Sequence, residues 1–485
     1  MRSLNRRQFL ALSASSAGAV LLSQCDRDQI QANPELQRNF PKLYTSSNGS
    51  LALDLEASTD RIDLGSTSLN VLSYNGQIPG PRIEVQPGDM VRIRFQNNLT
   101  EPTNLHYHGL HIPPTGKADN IFLRVASGET ATYEFTIPKQ HPGGIAYYHP
   151  HLHGYVADQV LGGLGGIFVV RGAIDNIPEI RAAKEIFLFL KDFVVGQERS
   201  RMEHMSGREG DLVTVNGEVN PAFSIAAGGL ARLRLVNASN ARFYRLALEK
   251  HPFYLVATDG YPLSAPVELS ELLLSPGERA EVLVQGEQEP GHYRLLNLPY
   301  SRGQMGMMGG GGMMRGRGPG MRGRSDLDSP QVLATLTYAG QGEGRSLPQR
   351  LIEVEALPEP QTVRQFALNH GMVPGQGMVF LINGKSFDPD RIDTQVLLGT
   401  VEDWEISNTG VMDHPFHLHT NPFQVIARNG QPQPHRVWKD TVLVPAGEMV
   451  RIRIPFKDFA GKTVYHCHIL DHEELGMMGT IEMQV

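Results

Sequence analysis

Three times along this 485-residue chain an Asn-Gly pair leads to a stretch of alternating apolar and polar residues that closes on an asparagine. Asn75-Gly76 leads through Pro81-Arg-Ile-Glu-Val to Gly88 and Val91-Arg-Ile-Arg-Phe, ending at Asn97. Asn216-Gly217 leads to Gly229 and Ala231-Arg-Leu-Arg-Leu-Val, ending at Asn237, and Asn383-Gly384 leads to Gly399 and Val401-Glu-Asp-Trp-Glu-Ile, ending at Asn408. Each unit reads as a turn, a strand of period two and another turn. The length suits three domains, and 51 glycines with 32 prolines give the turns that short strands need. Three repeats of one β-sandwich follow.

Near the end stands His466-Cys467-His468-Ile469-Leu470-Asp471-His472, followed by Met477. Two imidazoles, one thiolate and a distant thioether form the ligand set of a blue-copper centre. On an extended strand neighbouring side chains point to opposite faces, so if Cys467 faces one metal, His466 and His468 face another. The same i, i+2 pairing recurs as His106-Tyr107-His108, His149-Pro150-His151 and His417-Leu418-His419. His414, three residues before His417, falls on the face expected of a partner to Cys467.

These four segments resemble the copper-binding motifs of the multicopper oxidases, in the family's order and across residues 45–485. The resemblance implies an all-β fold of three consecutive cupredoxin-like Greek-key β-sandwich domains, at about 45–173, 174–345 and 346–485. Motifs one and two fall in the first and three and four in the last, with the middle one as a spacer. It implies four copper ions. A type 1 copper would take His414, Cys467 and His472, with Met477 axial. A type 2 copper would take His106 and His417. One type 3 copper would take His108, His149 and His468, and its twin His151, His419 and His466. Asp119 and Glu473 resemble the acids that assist oxygen reduction in the family. Tyr107 stands where the family usually has Trp, and Ala146-Tyr147 replaces a Trp-containing approach to the second pair.

Other readings of the same residues are weaker. A structural zinc site closes one tetrahedron with four ligands, not eight paired imidazoles, and copper binds such ligands more tightly. His111 and His153 fall outside the family's ligand set, and His141, His204, His251, His292, His370 and His435 show no grouping.

The first residues, Asn5-Arg6-Arg7-Gln8-Phe9-Leu10 before an apolar stretch to Leu22, resemble a twin-arginine signal within residues 1–25. Export to the periplasm or another extracytoplasmic space is expected. Cys25 and Cys467 are the two cysteines, so a chain cleaved after the signal forms no internal disulfide. A lipid anchor on Cys25 is the alternative fate of that end. A formal charge of -7 argues against nucleic acid as a partner, no apolar run of 18 residues marks a transmembrane segment, and a monomer is expected.

From Ser301 to Arg324, Met305, Met307, Met308, Met313, Met314 and Met321 lie among ten glycines and five arginines. Such a segment makes no core. Thioethers select Cu(I), and comparable insertions occur in multicopper oxidases that oxidise cuprous ion, where Met412 also resembles a substrate-guiding methionine. The partners expected are therefore dioxygen and either Cu(I) or a small phenolic or aromatic donor. Three functions stand: a cuprous oxidase in copper tolerance, a laccase-like oxidase, and a copper store without turnover.

Overall fold

The computed structural model describes residues 41–196, 201–303, 329–375 and 377–485. The expected signal, Cys25 and the methionines from Met305 to Met321 lie outside them. Strands fall into six sheets, and each sheet draws on one third of the chain. Two sheets per third face one another across an apolar core. Leu53 and Ile93 meet Ile83 and Phe168 in the first, Leu233 and Val282 meet Leu246 and Leu295 in the second, and Trp404 and Ile452 meet Phe416 and Ile481 in the third. The fold is three cupredoxin-like Greek-key β-sandwiches.

The repeat read from the sequence is a structural one. In each third a first strand pairs antiparallel with its hairpin partner and parallel with the alternating strand. These are Ser50–Leu64 with Thr67–Tyr74 and Met90–Asn97, Lys184–Phe193 with Leu212–Val215 and Leu230–Asn237, and Thr362–Val373 with Gly377–Ile382 and Thr400–Asn408. At the turns Asn75, Asn216 and Asn383 have φ of 54°, 56° and 53°, and the following glycines are also positive, as a type I′ turn requires. Each of these asparagines accepts from the first strand, at Glu56, Phe189 and Ala367 N–H.

The closing asparagines repeat as well. Asn97, Asn237 and Asn408 each accept from the N–H two residues on, at Leu99, Ser239 and Gly410. Their amides donate to Val125, Leu274 and Val444 carbonyls, tying the end of the strand to a neighbouring loop or strand. A buried amide satisfied in this way fixes the chain at the end of each alternating strand, which in the first and last thirds is just before a site-bearing segment.

Leu230–Asn237 departs from simple alternation, because every residue in it is buried. Its arginines do not reach water. Arg232 pairs with Asp175 and Glu281, and Arg234 with Asp175 and Glu185. The middle third is covered because Phe187, Phe189, Val236 and Ala238 pack on Ile145, Tyr147, Ile167 and Val169 of the first.

Candidate metal centre

Two pairs of strands carry the site. His106–His108 runs antiparallel to Gly144–His149, with His106 opposite His149 and His108 opposite Tyr147. His414–Leu418 lies between Thr441–Val444 and Gly461–Cys467, with His417 opposite His466 and Phe416 opposite Cys467. Alternation then sorts the side chains. The ten expected histidines and Cys467 are buried, and they fall into groups whose ligand atoms lie within 4.8 Å of one another: His108, His149 and His468; His151, His419 and His466; His414, Cys467 and His472; and His106 with His417, which also reach His108.

In the thiol-containing group Cys467 Sγ lies 3.5 Å from His414 Nδ1 and 3.8 Å from His472 Nδ1, and the two nitrogens are 3.3 Å apart. His472 comes from the short helix Leu470–Glu474, which follows the strand of Cys467 at once. Met477 is buried in the same core, and its carbonyl accepts the Cys467 N–H at 3.0 Å. Met412 is buried there too.

The residues fit metal ions. His106 Nε2, His108 Nδ1, His149 Nε2 and His417 Nε2 are buried without a hydrogen-bond partner, whereas the opposite nitrogen of each ring is held by Asp119, Asp440, the Pro150 carbonyl and the Asp440 carbonyl respectively. Fixing one nitrogen and freeing the other is how proteins orient imidazole ligands. In the second group His151 Nε2 and His419 Nε2 lie 3.0 Å and 3.1 Å from His466 Nε2, so three rings converge on one point. His468 Nδ1 is free while its Nε2 is 3.0 Å from the Tyr147 hydroxyl.

Electrostatics favour uncharged rings. Burial, reinforced by neighbouring imidazoles, holds His106, His149, His419 and His468 well below the usual range, and burial takes His151 to about 4 and His414 to about 3. Neutral rings keep the lone pairs that a metal needs. Burial pushes the Cys467 thiol up, so a thiolate there requires a cation beside it.

Asp119 and Glu473 both lie at the cluster. Asp119 bridges His106 Nδ1 at 3.0 Å and the Tyr107 N–H at 2.9 Å, and burial raises its carboxyl to about 7. Glu473 sits between His466 Nδ1 at 3.0 Å and His151 Nδ1 at 3.7 Å. Burial works to raise its carboxyl, but those imidazoles outweigh it and hold it at about 2. Two residues had no signal in the sequence: Asp440, bonded to His108, and Arg279, bonded to Asp440. The middle third is therefore more than the expected spacer. His111 bonds the Thr420 carbonyl at 2.7 Å.

One thiol-containing group beside a nest of imidazoles, carried by three cupredoxin-like sandwiches, defines a copper protein of the oxidase type. Family models described as multicopper oxidase match residues 57–174, 190–309 and 357–484. A multicopper oxidase of Staphylococcus epidermidis is 30% identical over 92% of each chain, and a cell division protein FtsP of Yersinia pestis is 30% identical over 91% of this chain and 90% of its own. A solved multicopper oxidase of Campylobacter jejuni, described as a metallo-oxidase, superposes with a TM-score of 0.78 at 32% identity, covering 92% of this chain and 95% of that one. The chain belongs to the multicopper oxidase family.

Proposed function

We propose that the chain is an active oxidase that couples one-electron oxidation of a donor to four-electron reduction of dioxygen to water. His414, Cys467, His472 and Met477 would hold a type 1 copper, His106 and His417 a type 2 copper, and the two groups of three imidazoles a type 3 pair. Bound copper would supply reversible one-electron chemistry at each position. The observation that carries this reading is the full set of buried imidazoles, sorted with Cys467 into four groups, with ring nitrogens of His106, His108, His149, His417 and His468 left unpartnered.

The chain's own residues fit the task. Cys467 is joined by single peptide links to His466 and His468, which belong to the two different imidazole triads, so a covalent path runs from the sulfur to both. Asp119, with its carboxyl at about 7, holds a proton beside His106 near neutral pH. Glu473 keeps a second carboxyl between His151 and His466.

Cuprous ion is the donor we favour, and copper tolerance the service. Met412 lies in the core of Cys467 and Met477. Gly303, just before the methionine-rich residues, packs so closely on Val411 that a Cβ there would lie 2.2 Å from the Val411 carbonyl. Gly303 therefore lies beside Met412. The signal-like start supports export to an extracytoplasmic space. The test is oxygen uptake by the copper-loaded protein with a chelated Cu(I) donor or a phenol, the phenol with and without added Cu(II). Fast cuprous oxidation, with phenol turnover rising on added Cu(II), is expected. Preference for phenol regardless of copper would make it a laccase. Deleting residues 304–324 should weaken cuprous oxidation and leave or raise phenol oxidation.

The relatives named as cell division proteins support a second reading, a role in cell division. Copper binding with no oxygen uptake from either donor would support it. The complete imidazole set argues for the first.

A further inference from the structure

We propose that Arg279 and Asp440 are a positioning pair that fixes His108 and His417, so that the middle third, which supplies none of the grouped ligands, sets the geometry of the imidazole cluster. This rests on the copper-cluster reading above.

The imidazoles are not all held alike. His106, His149, His417 and His466 are tied through Nδ1 and aim Nε2 at their neighbours. His108 is reversed. Its Nε2 is bonded at 3.0 Å to Asp440 Oδ1 and at 3.2 Å to Thr441 Oγ1, and its Nδ1 is the free atom. A neutral ring carries one N–H, so Asp440 selects the tautomer by accepting the Nε2–H. The same short stretch holds His417, whose Nδ1–H donates to the Asp440 carbonyl at 2.8 Å. One residue thus orients two imidazoles drawn from the first and last thirds.

A carboxylate in a dry core needs a counter-charge, and Arg279 provides it. Every N–H of this fully buried guanidinium has an acceptor. Nη1 donates to Asp440 Oδ1 at 2.8 Å and the Gly277 carbonyl at 3.0 Å, Nη2 to Asp440 Oδ2 and the Asp259 carbonyl at 2.8 Å, and Nε to the Ile145 carbonyl at 3.4 Å. The Asp259 carboxylate accepts the Arg279 N–H at 2.9 Å and Lys439 Nζ at 3.0 Å. The five donors are used because guanidinium is a planar fork, which lysine cannot reproduce.

Two glycines make room for this approach. A Cβ on Gly109, the residue after His108, would lie 2.2 Å from Arg279 Nη2, and one on Gly277 would lie 2.7 Å from the His468 ring. A buried ion pair is weak evidence for stability in itself. An ion pair with a carboxylate oxygen on a ligand imidazole has a second use.

The test compares copper-loaded wild type with Arg279→Met, Arg279→Lys and Asp440→Asn. Copper per chain, the paramagnetic resonance of the type 2 copper and the near-ultraviolet band of the coupled pair read the cluster, and the blue absorption of the thiolate site serves as internal control. Positioning predicts that Arg279→Met weakens cluster copper about 10–100-fold and alters the type 2 spectrum, with the blue band retained. Arg279→Lys should recover little of this. Asp440→Asn, which keeps an acceptor oxygen, should lie between Arg279→Met and wild type, and it serves if Arg279→Met fails to fold. Unchanged cluster spectra, or cluster and blue signals falling in parallel with thermal stability, would overturn the proposal. Wild type that takes up blue copper but none in the cluster would instead defeat the functional reading on which it rests.

Discussion

Cys467 and the histidines around it face opposite demands with and without metal. Burial keeps the thiol protonated, so copper uptake at this group should release a proton, and Cys467→Ser should abolish the blue absorption and donor oxidation while the imidazole groups still load. Copper analysis and visible spectra check this, and an unchanged blue band would contradict it. The buried rings also carry a pH signature. Their folded-state values are depressed, so below about 6.5 the unfolded chain binds protons that the folded one refuses. Stability of the copper-free protein should therefore fall as pH drops through that value, and chemical denaturation across pH would show it. Asp119 has the reverse sign. Its carboxyl is raised to about 7, so between its ordinary range and that value the folded chain holds a proton that the unfolded chain has lost. Stability due to this group falls as pH rises across that window, by at most about 4 kcal/mol at 1.36 kcal/mol per unit. The difference between wild type and Asp119→Asn should show that slope, and parallel curves would refute it.

Gly144–His149 shows how an element couples fold to site. It ends at His149, and it starts against the middle third, where a Cβ on Gly144 would lie 2.0 Å from the Gly260 carbonyl. Backbone on both sides cannot yield cheaply. Gly144→Ala should cost about 1–3 kcal/mol and lower cluster copper as well, whereas Gly344→Ala, which meets nothing within 4 Å, should do neither. Thermal unfolding with copper analysis distinguishes the two, and equal effects would contradict the account. The strands at Val91–Phe95, Ala231–Val236 and Val401–Ile406 were legible because alternation is a local property of sequence. Burial of Arg232 and Arg234 was not, since it depends on Asp175, Glu185 and Glu281, which arrive from elsewhere.

Across the whole molecule the same division holds. The imidazoles and Cys467 announce themselves because i, i+2 spacing on a strand and the His466-Cys467-His468 run are short-range patterns. Asp440 acts on His108 across 332 residues and on Arg279 across 161, distances over which a single sequence carries no periodic signal. The middle third has no motif, yet it reaches the cluster through Arg279 and Gly277. Among the described residues no helix is long and apolar enough to cross a membrane. On the proposed function, thiolate site and imidazole cluster form one machine for the full reduction of dioxygen. The direct measurement is the number of electrons drawn from the donor per dioxygen consumed by the copper-loaded protein, with released peroxide assayed alongside. Four electrons and no peroxide are predicted. Two electrons with peroxide, or no oxygen uptake in protein that holds its copper, would contradict it.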